Sequence, residues 1–90
     1  MVFVYVIESL IDMTWYTGMA YDPLKRLAEH NKGKNRFTKG HSPWKIIYTE
    51  PHSDWPSART RKKYFKTAAG KKWLPKYYSA HGGGTGSLPA

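Results

Sequence analysis

Residues 16–31 of this chain read Tyr16-Thr17-Gly18-Met19-Ala20-Tyr21-Asp22-Pro23-Leu24-Lys25-Arg26-Leu27-Ala28-Glu29-His30-Asn31. The residues before Gly18 favour a strand, and the glycine indicates that the strand ends nearby. Asp22 followed by Pro23 marks a helix start, because a carboxylate caps a free amide and proline fits the first turn. The stretch therefore predicts a strand followed at once by a helix.

The spacing within this helix predicts which side chains it buries. Four positions share one face and are expected to pack inward: Leu24, Leu27, Ala28 and Asn31. Arg26 and His30 are four residues apart, so they lie one turn apart beside that stripe and can point at the edge of a sheet. Asn31-Lys32-Gly33 is expected to end the helix.

Upstream, two strands are predicted. Residues 2–7 form an unbroken apolar and aromatic run, which is typical of a strand covered on both faces and hence central in its sheet. Residues 13–19 form the second strand, and a hairpin is the simplest way to pair the two.

Downstream, a loop, a strand and two helices are expected. Residues 32–43 suit an exposed loop, and residues 44–49 a third strand that Pro51 closes. Ser53 or Asp54 can cap a second helix, with Pro56 tolerated in its first turn. One face of that helix should hold Ala58, Arg61, Lys62 and Phe65. Gly70 is expected to break or bend the chain before a short third helix over residues 71–78.

These elements predict one small α+β domain over residues 1–78, with a three-stranded antiparallel sheet flanked by about three helices. Residues 79–90 are glycine-rich and poor in apolar residues, so a flexible tail is expected there. Ninety residues leave no room for a second core. The chain has no cysteine, which excludes disulfides and thiolate metal sites.

The charge of the chain points to a polyanionic partner. Fifteen Lys and Arg residues oppose six Asp and Glu residues, a net charge of +9, and no acidic residue follows Asp54. Such a surface gathers nucleic acid by releasing its counterions, with an anionic membrane as the weaker alternative. The expected DNA contacts are Lys34, Arg36, Lys39, Arg59, Arg61, Lys62, Lys63 and Lys66.

The amino terminus shows neither a basic leader nor an apolar run long enough to span a bilayer. We therefore expect a cytoplasmic monomer that binds DNA, with no membrane association and no small-molecule cofactor.

Two tyrosines, an arginine and a histidine stand in a regular order on the strand-strand-helix unit. Tyr5 precedes Tyr16 by eleven residues, and Arg26 and His30 follow on the helix. Two phenols, a guanidinium and an imidazole are suited to cutting a phosphodiester, because phosphoryl transfer depends on positioned charge. From the residues alone, the favoured interpretation of Tyr5 and Tyr16 is that they are ordinary core aromatics of a sheet.

The order and spacing of several short motifs resemble the GIY-YIG nuclease superfamily, in particular the small UPF0213-type proteins. The matching segments lie at residues 4–6 and 16–18, at Arg26-Leu27 with His30-Asn31, at Thr38-Lys39-Gly40 with Pro43-Trp44, and across residues 63–74. The resemblance implies one active site, with catalytic roles for Tyr5, Tyr16, Arg26 and His30. In the family a tyrosine helps to deprotonate water, the arginine steadies the phosphoryl charge, and a glutamate holds a divalent metal, Mg²⁺ or Mn²⁺.

The chain departs from the family at that glutamate. The second helix usually reads Ala-x-x-Arg-Glu-Lys in the family, and here Ala58-Arg59-Thr60-Arg61-Lys62-Lys63 places Lys62 at the metal-binding position. An ammonium group has no lone pair to give to a cation and repels one. Glu29, Glu50 and Asp54 could substitute only if the fold brings one of them within reach.

Three functions remain open from the sequence. The first is a structure-selective or non-specific DNA endonuclease whose catalysis Lys62 impairs, with a metal held by a replacement ligand or by the DNA phosphates. The second is a protein on the same fold that binds nucleic acid without cutting it. The third is a module whose basic helices dock on an acidic protein.

Overall fold

The computed structural model of the protein describes residues 1–80, with side chains as far as Pro75. Its elements follow one another as β1 (Val2–Ser9), β2 (Trp15–Ala20), α1 (Pro23–Asn31), a 3-10 turn (Lys39–His41), β3 (Trp44–His52), α2 (Trp55–Phe65) and α3 (Ala68–Ala80). This order confirms the predicted α+β class. The prediction of a flexible tail falls almost entirely on residues 81–90, which lie outside the described residues.

The sheet is antiparallel with the strand order β2-β1-β3, so β1 is central as its apolar run predicts. β1 and β2 form the expected hairpin, in which Tyr5 pairs with Gly18. β3 is longer than expected, because it continues through Pro51 to His52. An edge strand has one side without a ladder partner, and this tolerates a proline.

The two faces of the sheet carry separate apolar clusters. Val2, Val4 and Val6 pack with Ala58, Phe65 and Leu74, which come from α2 and α3. On the opposite face, Tyr5 and Ile7 pack with Trp44 and with Leu27 of α1. The sheet is therefore the middle layer, with α1 on one side and α2 and α3 on the other.

The N-termini of α1 and α2 are capped as the sequence predicts. The Asp22 carboxylate accepts a hydrogen bond from the Lys25 amide, and the Asp54 carboxylate accepts one from the Ser57 amide. A proline stands in the first turn of each helix. Asp54 rather than Ser53 is the second cap.

The predicted buried stripe of α1 is wrong. His30 is the buried residue of this helix, whereas Leu24 keeps 61% of its surface exposed. Leu27 is half-buried, and the Asn31 side chain bonds the backbone of Trp44 at the start of β3. The helix turns a polar edge toward the sheet because hydrogen bonds there replace apolar contacts.

The prediction that Gly70 breaks the chain is also wrong. α3 begins at Ala68 and passes through Gly70 without interruption. A Cβ at this position would lie 1.9 Å from the Tyr64 carbonyl oxygen and 2.6 Å from the Phe65 Cα. Gly70 is required because the backbones of α2 and α3 approach closely at this point.

The segment between α1 and β3 is anchored more firmly than an exposed loop. Thr38 is fully buried, and its carbonyl accepts a 2.9 Å hydrogen bond from the Trp44 indole. Ser9 at the end of β1 donates to the His41 carbonyl, and the Asp12 carboxylate lies 2.5 Å from His41 Nδ1. These contacts fix the segment over the α1 face of the sheet.

Candidate active site

A buried chain of hydrogen bonds joins β1, α1 and the following segment. The Tyr5 hydroxyl lies 2.9 Å from His30 Nε2, and His30 Nδ1 lies 2.8 Å from Thr38 Oγ1. All three side chains are at most 1% exposed. The Tyr5 ring is thus part of the core, while its hydroxyl belongs to the polar chain. The interpretation as a core aromatic and the interpretation as a site residue are therefore compatible.

Gly18 provides the space that the Tyr5 phenol occupies. The two residues pair across β1 and β2, and a Cβ on Gly18 would lie 2.4 Å from the Tyr5 hydroxyl oxygen. A real Cβ does not come that close to another heavy atom. The glycine of the second motif therefore fixes the position of the tyrosine of the first.

The direction of the proton in this chain follows from burial and charge. Burial raises the pKa of the Tyr5 phenol to about 12, although the neighbouring Arg26 guanidinium lowers it in part. Burial and then the Arg26 charge lower the pKa of His30. At neutral pH the phenol therefore keeps its proton and donates it to the free Nε2 of a neutral imidazole, whose Nδ1–H donates to Thr38.

Arg26 places its charge at the mouth of this buried chain. The neighbouring Tyr5 hydroxyl is the main cause that raises the pKa of the guanidinium. The Arg26 side chain is half exposed, and its Nη1 lies 3.3 Å from Glu29 Oε1. A cavity of about 110 Å³ opens here, lined by Arg26, Glu29, His30, Lys34 and Asn35. Two cations at a small opening suit a phosphate oxygen.

Tyr16 stands beside the chain with its ring edge toward His30, at 5.2 Å between ring centroids. The Phe37 ring lies 5.5 Å from Tyr16 on the far side and is 49% exposed. The structure therefore brings together all four residues that the resemblance implied as catalytic: Tyr5, Tyr16, Arg26 and His30. Their catalytic roles stay a prediction.

The sequence reasoning assigned no role to two side chains of this region. Thr38 belongs to a quoted motif, which was the available signal, and it holds the His30 ring. Phe37 was placed in an exposed loop, yet it extends the aromatic wall of the site. Its contact with Tyr16 depends on the fold of residues 33–43 and leaves no periodic pattern in the sequence.

Lys62 lies on α2, on the side of the sheet opposite to α1. Its side chain is half-buried. Burial lowers the pKa of Lys62, and the neighbouring charges of Lys66, Arg59 and Lys63 lower it further. Lys62 thus stands in a cationic environment that repels a divalent metal.

None of the carboxylates considered as replacements makes a metal site. Within residues 1–80, no three His, Asp or Glu side chains come together as potential ligands. Glu50 binds Arg61, Tyr48 and His52 at 2.7–3.2 Å. Burial raises the pKa of Glu50, but these hydrogen bonds and the Arg61 charge outweigh it and lower the pKa overall. Asp54 caps α2. The side chains present do not fit the divalent metal that the resemblance implied.

The eight expected DNA-contacting residues divide into two that are half-buried, Arg61 and Lys62, and six that are exposed. Arg61 is half-buried, bonds Glu50, and lies 4.5–5.0 Å from the centroids of the Tyr64, Phe65 and Trp73 rings. Its guanidinium is thus already engaged within the protein. Six residues of the prediction are exposed: Lys34, Arg36, Lys39, Arg59, Lys63 and Lys66.

Comparison with known proteins now identifies the family. The pattern of the GIY-YIG catalytic domain matches residues 1–77. The chain belongs to the GIY-YIG family. This confirms the resemblance, and membership of this family implies a nucleic-acid substrate.

Relatives of the chain carry the UPF0213 name. A UPF0213 protein of Streptococcus pyogenes serotype M3 is 32% identical over 80 residues, covering 88% of this chain and 86% of that protein. A UPF0213 protein of Halobacterium salinarum is 42% identical over 62 residues, covering 68% of this chain and 78% of that protein. The solution NMR structure of a UPF0213 protein from Bacillus halodurans is also similar, with a TM-score of 0.52 and 27% identity. The match covers 86% of this chain and 85% of that chain.

The structural neighbour confirms the predicted architecture of a three-stranded sheet with three helices. Among the helices that the structure describes, none combines the length and apolar content needed to cross a bilayer.

Proposed function

We propose that this protein acts on DNA phosphodiesters through the site formed by Tyr5, Tyr16, Arg26 and His30. We further propose that Lys62 impairs its hydrolytic step. The observation that carries the proposal is the buried Tyr5–His30–Thr38 chain with the Arg26 charge at its opening. A buried polar network of this kind is not needed to fill a core, for which phenylalanine would serve. Its value lies in the proton and charge that it positions.

The geometry supports a specific proton path. The Tyr5 phenol is protonated at neutral pH, so it can take a proton from an attacking water only by passing its own proton to His30 Nε2. The neutral His30 is 2.9 Å away and able to accept that proton. Arg26 stabilises the negative charge that develops on the phenol and on the phosphoryl oxygens.

Lys62 favours a second candidate function, which is DNA binding without cleavage. The lysine ammonium can attract a phosphate, but it cannot coordinate a leaving oxygen as a metal does. The charge of +9 serves both candidates equally. Restoring a carboxylate at this one position separates them.

The test is nicking of supercoiled plasmid with Mg²⁺ or Mn²⁺. The unaltered protein should bind the plasmid and leave it intact, whereas Lys62→Glu should nick it. Adding Tyr5→Phe to Lys62→Glu should abolish nicking, because the proton path is lost. Lys72→Glu makes the same charge change on α3 and serves as the matched control, which should not nick.

Two outcomes would contradict the proposal in different ways. Strong cutting by the unaltered chain that Tyr5→Phe or Arg26→Ala abolishes would show that hydrolysis does not need a carboxylate at position 62. Absence of DNA binding at low salt would remove the proposed substrate altogether.

A further inference from the structure

An apolar cleft of about 480 Å³ opens next to the candidate site, at the β2 edge of the sheet. It is lined by Val6 of β1, by residues of β2, by Phe37 from the segment that follows α1, and by residues of α2, of α3 and of the turn between them. The volume lies within the rough range of 300–1,000 Å³ that small-molecule sites occupy. The cleft is therefore large enough for a planar ring system.

The walls combine aromatic rings with cationic ends. Trp15, Tyr16, Phe37 and Phe65 contribute rings, and Lys66 and Lys71 contribute ammonium groups. Both lysines are exposed, and none of the described residues that line the cleft is acidic. Aromatic surfaces stack on nucleobases of any sequence, while lysines attract the flanking phosphates. A nucleotide carries both of the groups that such walls recognise.

Tyr16 joins the cleft to the candidate site. Its ring lines the cleft and also stands 5.2 Å from the His30 ring, which bonds the Tyr5 hydroxyl. Phe37 closes the same side, 5.5 Å from Tyr16. A nucleotide whose phosphate lies at Arg26 and Tyr5 could thus place a neighbouring base in the cleft.

We propose that the cleft binds the base of an unpaired nucleotide, so that DNA with an unpaired or displaced base is the preferred ligand. This inference rests on the proposed action on DNA. A paired base lies inside the duplex stack and cannot reach the cleft without unstacking, which costs a few kcal/mol and costs least when the base has no partner. The cleft therefore selects for DNA structure and is indifferent to sequence.

The test compares the affinity of the full chain for two fluorescein-labelled duplexes that differ only by a single unpaired thymidine. Fluorescence anisotropy at fixed salt should show binding to the unpaired form that is roughly tenfold tighter, as stacking of one base predicts. Phe37→Ala should reduce this preference severalfold. Thr17→Leu, which adds carbon atoms to the cleft, should reduce it as well.

Two control variants, Tyr21→Ala for Phe37→Ala and Lys72→Gln for Lys71→Gln, distinguish stacking in the cleft from the general effects of losing an exposed aromatic ring or a charge. Tyr21→Ala removes an aromatic that is 69% exposed and lies outside the cleft, so the preference should remain. Lys71→Gln should weaken binding to the unpaired form more than Lys72→Gln, although both remove one charge from α3.

The outcomes distinguish this inference from the proposed function. Equal affinity for both duplexes, or a preference that survives Phe37→Ala and Thr17→Leu together, would overturn the inference while DNA binding stands. Elution as a dimer that Phe37→Ala converts to a monomer would show that a second copy fills the cleft, and would also overturn it. Failure to bind either duplex would refute the proposed action on DNA first.

Discussion

Tyr5 shows how one residue serves the core and the site at once. Its ring packs with Ile7 and Trp44 on the α1 face, and its hydroxyl is held by His30. A buried hydroxyl without a partner would cost roughly 1–3 kcal/mol, so the imidazole stabilises the fold as well as the reactive arrangement. Gly18 completes this arrangement by leaving space for the phenol.

At this scale, Gly18→Ala should destabilise the protein by roughly 1–3 kcal/mol, the usual cost of overpacking. The new Cβ would meet the Tyr5 hydroxyl, which cannot move away because its ring is buried and hydrogen-bonded. Urea unfolding measures the change. Gly40→Ala, where no atom lies within 4 Å of the added Cβ, should stay within about 0.5 kcal/mol of the parent protein. Equal stability of the two variants would disprove the steric role of Gly18.

The buried imidazole predicts a pH dependence of stability. The folded pKa of His30 is lowered, so the unfolded chain binds its proton at a higher pH than the folded chain does. Its contribution to stability is present above the unfolded pKa of about 6.5 and is lost as the pH falls toward the folded pKa. Denaturant midpoints should therefore decrease from pH 7 to pH 5.

The matched variants for this prediction are His30→Gln and His41→Gln. The first removes the buried imidazole and should flatten the decrease between pH 7 and pH 5. The second leaves that imidazole in place and should preserve the decrease. A His30→Gln profile that falls as steeply as the parent profile would assign the pH dependence to other groups.

At the scale of elements, hydrogen bonds and close backbone approach add to apolar contact in two places. α1 meets the sheet with His30 and Asn31, which bond Tyr5, Thr38 and the Trp44 backbone. α2 and α3 meet at Gly70, where the chain backbones approach too closely for any side chain. The first contact positions α1 on the sheet, and the second sets how closely α3 packs on α2.

Gly70→Ala should lower the stability of the protein, although replacing glycine by alanine in a helix usually raises it. Alanine normally stabilises a helix interior by roughly 0.5–1 kcal/mol relative to glycine. Here we expect a loss of about 2–3 kcal/mol, because the Cβ would overlap the backbone of Tyr64 and Phe65, which cannot rotate aside. Ala69→Gly, at the exposed neighbouring position, should cost only about 1 kcal/mol. Thermal unfolding of the pair measures both, and a more stable Gly70→Ala would refute the close approach.

At the scale of the whole molecule, charge and fold act on different properties. The +9 charge sets how strongly the protein attracts a polyanion at a distance. The layered fold decides where the polyanion can be held, since α1 carries Arg26 and His30 on one side and α2 carries Lys62 on the other. Among the basic residues expected to contact DNA, Arg61 is already engaged in an internal ion pair with Glu50.

DNA affinity should therefore fall steeply as salt rises, with a slope of about −0.9 per neutralised phosphate on logarithmic axes. Anisotropy titrations over a range of salt concentrations measure this slope. Arg59→Ala, which removes an exposed charge, should lower the magnitude of the slope by about 1. Lys45→Ala removes a cation that Glu8 already pairs at 3.5 Å, and it should leave the slope nearly unchanged. Affinity that is independent of salt would disprove the electrostatic account.

The sequence by itself determined the order of the elements, the central place of β1, the Asp22 cap of α1 and the membership of the GIY-YIG family. These features depend on local periodicity, capping chemistry and motif spacing, which a linear chain displays directly. It also showed that Lys62 stands where the family holds a glutamate.

Only the tertiary structure decided which side chains meet. Helical periodicity predicts a buried Leu24 rather than a buried His30, whereas the fold gives the imidazole two hydrogen-bond partners, Tyr5 on β1 and Thr38 in the segment after α1. Gly70 is predicted to break the helix because helix propensity describes the residue alone. It does not include the close approach of the α2 backbone, which is the reason for a glycine here. The contact between Tyr16 and Phe37 beside the apolar cleft likewise depends on packing between segments that are distant in the sequence. Such contacts produce no periodic pattern from which the sequence could predict them.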